Sequence, residues 1–109
     1  MTSYLFIESR DPFESRDAQF VLDTATALKQ SDNEVTLFLV QNGVLAARQN
    51  SAGSHLPLLA KAGITLLADA FSLRERGILK TEMIPAISES SVEALVDLLV
   101  RENTKAIWH

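Results

Sequence analysis

The side chains able to do chemistry are few and far apart. Asp69 and Ser72 lie three residues from each other after an apolar run, and the histidines are His55 and His109. A carboxylate at a strand end can serve as a general base or bind a cationic group. A serine becomes a nucleophile only with a base in reach, and no motif places His55 or His109 beside Ser72. The Gly-x-Ser-x-Gly signature of serine hydrolases is absent. The competing role for Asp69 is to cap a short following helix through its side-chain oxygen. His55 sits in a polar stretch before a helix, where it is a pocket or interface residue or is simply exposed.

Arg10, Arg16, Arg74 and Arg76 form a second candidate group. Converging on strand ends, they would hold an anion or a partner's carboxylate. Otherwise they are solvated surface charges neighboured by Glu8, Asp11, Glu14 and Glu75. Asn42 and Gly43, in a turn, and Phe71, an aromatic in an otherwise polar segment, complete the candidate ligand-binding or interface set. Trp108 is an interface anchor or packs at the end of the last strand. Two histidines without acidic partners at ligand spacing make no metal site, and no glycine-rich phosphate loop occurs. No metal and no cofactor are expected.

Composition bounds the rest. The 109 residues suit one domain, 1–109, with a single core. A 47% hydrophobic and 22% charged composition is globular. A net charge of -4, with no basic stretch, argues against nucleic acid as a ligand. With no cysteine, the chain has no disulfide, Cys-zinc site or iron–sulfur ligand. The opening apolar run is too short for a secretory signal, and no run approaches the ~18 residues of a membrane span. A cytoplasmic protein that avoids membranes is the expectation.

These residues must be positioned by alternating strands and helices. Tyr4 to Ile7 reads as a buried strand. A helix over Ala18 to Lys29 follows, entered at Asp11-Pro12 or, in competition, at Ser15 or Asp17. Glu34 to Val40 suits a strand covered on both faces. Gln41-Asn42-Gly43 is a turn, Val44 to Arg48 a short helix, and Asn50 to Ser54 a loop. Leu56 to Ala62 is helical, with Gly63 as its C-cap. Ile64 to Ala68 is the third strand, and Asp69 to Arg76 a short helix or loop. Ile78 to Ile87 is irregular, with room for a strand near Met83-Ile84. Ser90 or Ser91 caps a last helix whose Val92, Leu95, Val96 and Leu99 share one face. Lys105 to Trp108 is the final strand. The alternation predicts an α/β three-layer sandwich with a mostly parallel sheet of about five strands in a flavodoxin-like arrangement. Ligands gather beyond the carboxyl ends of such strands. Three segments should meet there: 8–16, 41–44 and 69–77.

The order of these features resembles the DsrE-like family of small sulfur-relay proteins. The likeness is carried by the N-terminal strand–loop–helix ending in Asp32-Asn33-Glu34-Val35-Thr36-Leu37-Phe38 and by the Gly43-Val44 turn. Gly63-Ile64 leading to Arg76-Gly77-Ile78, and Ala86-Ile87-Ser88-Glu89-Ser90-Ser91 before the last helix and a strand ending in Trp108, complete it. The resemblance implies a working cysteine seven residues before the Arg of Arg-Gly, and in some members a second one three residues later. Those positions are Asp69 and Ser72 here. It also implies a homo-oligomer, a trimer or hexamer, with the loop after the third strand near subunit contacts. The expected role is scaffolding, docking of a sulfur-relay partner, or binding of a small anionic ligand, without persulfide transfer. A small-metabolite enzyme using Asp69, Ser72 or His55, and a nucleotide- or anion-binding module, are the alternatives.

Overall fold

The computed structural model describes residues 2–11, 16–49 and 55–109, with backbone alone over 16–18. Five strands form one sheet: β1 Ser3–Glu8, β2 Glu34–Leu39, β3 Thr65–Asp69, β4 Ile87–Ser90 and β5 Thr104–Trp108. They run in the order β4-β3-β2-β1-β5, and every pairing is parallel. The connections carry α1 Arg16–Gln30, α2 Leu56–Lys61, α3 Ala70–Glu75 and α4 Val92–Leu99.

Parallel strands in mid-sheet are buried on both faces, so they need apolar residues at successive positions. Val35 to Leu39 are all buried for this reason. Phe6, Val35, Leu37, Leu39, Leu66 and Ala68 face one core with Val21, Leu22 and Ala25 of α1 and Leu56 and Leu59 of α2. Leu5, Ile7, Phe38 and Val40 face a smaller core closed by Leu95 of α4. Each large side chain so buried contributes about 1.5–3 kcal/mol. Left-handed residues end α1, α2 and α3: Asp32 (φ 65°), Gly63 (φ 96°) and Gly77 (φ 66°).

Several local expectations shift. The turn 41–43 and the helix expected after it are one 3-10 helix, Gln41–Ala47. The third strand, expected to end at Ala68, runs one residue further to Asp69, which caps α3 as its competing reading had it. The fourth strand is Ile87–Ser90; Met83 makes only an isolated antiparallel bridge to Arg48. The helix entry expected at Asp11-Pro12 or at Ser15 falls on residues 12–15, which lie outside the described residues, as does the loop 50–54; Asp17, the other competing start, lies within α1. The largest revision concerns α4. Leu95 is buried, but Val92, Val96 and Leu99, expected to share its face, are 56%, 49% and 41% exposed.

Candidate functional site

The described parts of the three segments expected at the carboxyl end of the sheet do meet. Glu8 of β1 accepts at its carbonyl from the Val40 amide at 3.0 Å, as β2 gives way to the 3-10 helix. Gly43 packs against that same carbonyl. A Cβ there would overlap the Glu8 oxygen and lie 3.0 Å from its carbon, so no side chain fits. Gly43, a candidate ligand residue by sequence, is thus a close-packing residue.

Asp69 follows the β3 ladder with extended backbone (φ -66°, ψ 121°). Its Oδ2 accepts from the Ser72 amide at 3.0 Å and from the Ser72 hydroxyl at 2.7 Å. This is N-capping of α3, the competing role assigned from sequence. Ser72 Oγ in turn accepts from the Gln41 amide at 2.9 Å. Gln41 reaches it from a left-handed conformation (φ 51°), which is uncommon for a side-chain-bearing residue. The Asp69 and Ser72 side chains are buried, at 5% and 4% exposed. The hydroxyl hydrogen is donated and an oxygen lone pair is occupied. Asp69 is within reach as a base, but the hydroxyl is committed to holding β2, β3 and α3 together.

Arg76 belongs to the same assembly. Its Nε and Nη2 donate to Asn42 Oδ1 at 3.1 and 2.9 Å, and its Nη1 donates to the Ser72 carbonyl at 3.2 Å. Glu75 lies 3.9 Å away. Asn42 and Arg76 therefore brace the 3-10 helix against α3. Arg74 instead points with Phe71 to an open concavity on the α4 side, lined also by Asp69, Ser91, Val92 and Glu93. Arg10 is exposed at the end of β1, with its backbone amide donating to Glu8 Oε1 at 2.9 Å. The side chain of Arg16 lies outside the described residues.

His55 lies elsewhere, in a concavity with Gln19, Leu22, Asp23, Thr26, Leu58 and Leu59 between α1 and α2. It is not brought to Asp69 or Ser72. The other histidine makes a contact that the sequence reading missed. His109 Nδ1 lies 2.9 Å from both carboxylate oxygens of Glu8, which is 1% exposed. Nε2 is buried and has no hydrogen-bond partner among the described residues. Glu8 ends an apolar strand without a sequence partner, and a long-range pair of this kind leaves no local signal.

No group of three or more His, Cys, Asp or Glu side chains suited to a metal ion occurs among the described residues. Nor is any described helix long and apolar enough to cross a membrane.

A sequence profile of the DsrE/DsrF-like family matches residues 2–104. The chain belongs to that family. No curated protein matches it by sequence. Among solved structures, the ychN protein of E. coli superposes with a TM-score of 0.84 at 20% identity, covering 98% of this chain and 100% of that one. A protein of unknown function from Methanobacterium thermoautotrophicum, MTH1491, superposes with a TM-score of 0.79 at 17% identity, covering 100% of both chains. At such identities the likeness establishes the DsrE-like fold and nothing finer.

Proposed function

We propose that this DsrE-like protein is a non-catalytic, cytoplasmic member of its family: a homotrimer or homohexamer that docks a sulfur-relay partner or a small anionic ligand and moves no sulfur itself. The observation that carries this reading is the closed hydrogen-bond set of Asp69, Ser72 and the Gln41 amide. By resemblance these are the positions of the working thiols. Here they hold a helix cap instead of a nucleophile, and the chain has no cysteine to substitute. His55 lines a different concavity from the one Asp69 lines, which counts against a small-metabolite enzyme that would use them together. The tethering of Arg76 to Asn42 and Ser72 counts against an arginine-built anion pocket.

Two measurements test the reading. Intact-mass analysis after exposure to a persulfide donor should show no added sulfur. Affinity purification from the native host should recover an identified cysteine-bearing DsrE-like relative or sulfur carrier. Turnover of a small metabolite abolished by Ser72→Ala, in a variant that stays folded, would overturn it in favour of the enzyme.

A further inference from the structure

Asn42-Gly43 is the one Asn-Gly pair in the chain, and the function proposed above makes no use of its chemistry. A glycine offers a backbone nitrogen with no side chain beside it. That nitrogen can lose its proton and attack the side-chain amide carbon of the preceding asparagine. The new nitrogen–carbon bond closes a cyclic succinimide, and the side-chain nitrogen leaves as ammonia. Water then opens the ring at either carbonyl. One product is aspartate. The other is isoaspartate, in which the main chain runs through the side-chain carbon. Water is the only co-reactant.

The fold opposes each part of this step. Asn42 and Gly43 lie in the 3-10 helix Gln41–Ala47. Ring closure needs a ψ far from the helical range, because the attacking nitrogen must face the side-chain carbon. The Gly43 amide donates to the Val40 carbonyl at 2.9 Å, so its proton is held. The Asn42 side chain is fixed by the two hydrogen bonds that Arg76 donates to Oδ1. Gly43 has no room to shift toward the sheet, since the Glu8 carbonyl fills the place of its missing side chain. Arg76 also polarises the Asn42 amide, which favours attack, but geometry governs while the nitrogen is out of reach.

We propose that Asn42 is a spontaneous deamidation site that the brace between the 3-10 helix and α3 holds shut. The reactive state is a local opening in which Asn42 leaves Arg76 and the Gly43–Val40 hydrogen bond breaks. The two products then have different fates. Aspartate at 42 keeps an oxygen for Arg76 to meet and makes the contact charge-assisted. Isoaspartate inserts a carbon into the main chain just before Gly43, where the Glu8 carbonyl leaves no space. Opening of this junction therefore exposes the chain to an irreversible mark, and the pair acts as a timer on loss of the native contact.

Ageing at mildly alkaline pH, followed by peptide mapping, tests this. Deamidation at Asn42 should be at least about tenfold slower in the folded chain than in the chain unfolded in guanidinium chloride at the same pH. Arg76→Ala should speed it about fivefold in the folded chain, the factor that a net hydrogen bond is worth. Arg74→Ala, outside the brace, should leave the rate unchanged. After ageing in guanidinium and dilution, aspartate should collect in the fraction that refolds and isoaspartate in the fraction that does not. Equal rates in the folded and unfolded chain would overturn the proposal. So would an unchanged or slower rate in Arg76→Ala, which would make polarisation by Arg76 the dominant effect. Isoaspartate in the refolded fraction would overturn the separate fates of the products.

Discussion

Ser72 donates its hydroxyl hydrogen to Asp69 Oδ2 at 2.7 Å while accepting from the Gln41 amide. One buried oxygen thereby couples the ends of two neighbouring strands to the helix that follows the second. Removing Asp69 takes the acceptor from both the Ser72 amide and the Ser72 hydroxyl, while removing the Ser72 hydroxyl costs Asp69 one of its two donors and the Gln41 amide its acceptor. Losing a cap costs about 1 kcal/mol, and an orphaned buried polar group costs about 1–3 kcal/mol more. Asp69→Ala should therefore lose about 2–4 kcal/mol in urea unfolding, and Asp69→Asn, which keeps an acceptor, clearly less. A double-mutant cycle with Ser72→Ala should give a coupling of at least about 1 kcal/mol. Additive single losses would refute the coupling.

Gly43 and Gly77 make a matched comparison. Alanine at 43 meets the Glu8 backbone, which cannot swing aside, whereas alanine at 77 meets nothing within 4 Å and suffers only its positive φ. Gly77→Ala should cost about 1–2 kcal/mol. Gly43→Ala should cost about 3 kcal/mol or more, at the upper end of overpacking penalties. Thermal unfolding of the two variants, read by circular dichroism, ranks them directly.

Glu8 and His109 join the ends of β1 and β5 through a pair almost wholly out of water. Truncating Glu8 leaves the His109 imidazole without its hydrogen-bond partner, which costs about 1–3 kcal/mol. Glu8→Ala should lose about that much stability, and the amides of β5 should exchange faster. Glu8→Gln keeps an acceptor for Nδ1 and should lose less. Equal losses in the two variants would show that packing of the side chain, not the hydrogen bond, holds the strand.

Arg76 and Arg74 are two residues apart but differ in kind. Arg76→Ala severs the brace to Asn42 and should cost about 1 kcal/mol, a net hydrogen bond's worth at a partly exposed site. Lysine should not restore it, because it lacks the fork that meets Asn42 Oδ1 twice. Arg74→Ala should stay within about 0.5 kcal/mol of the wild type. These differences are measurable by chemical denaturation.

The sequence disclosed the periodic elements and the segments that gather at the strand ends, because continuous apolar runs and glycine punctuation are local signals. Asp69 as a cap was legible for the same reason: the carboxylate and Ser72 lie within one turn. The Gln41 amide, the Glu8 carbonyl beneath Gly43 and the Glu8–His109 pair were not. Each depends on residues at least 31 positions apart for which only the folded backbone sets the distance. The face of α4 failed differently. Helical spacing groups Val92, Leu95, Val96 and Leu99, but a single helix over this side of the sheet buries only Leu95 of the four, and periodicity does not say what the others meet.

The strand order carries a consequence for synthesis. β1 leads the chain yet has β5 as one of its two neighbours, so its ladder is half open until the last strand arrives. On the ribosome, β1 to β4 can pair as they emerge, while the outer edge of β1 stays bare until β5 follows. An unpaired edge of this kind recruits other strands. Nascent chains arrested before Thr104 should therefore be protease-sensitive and prone to aggregate, and the pairing of β5 with β1 should act as the step that closes the sheet.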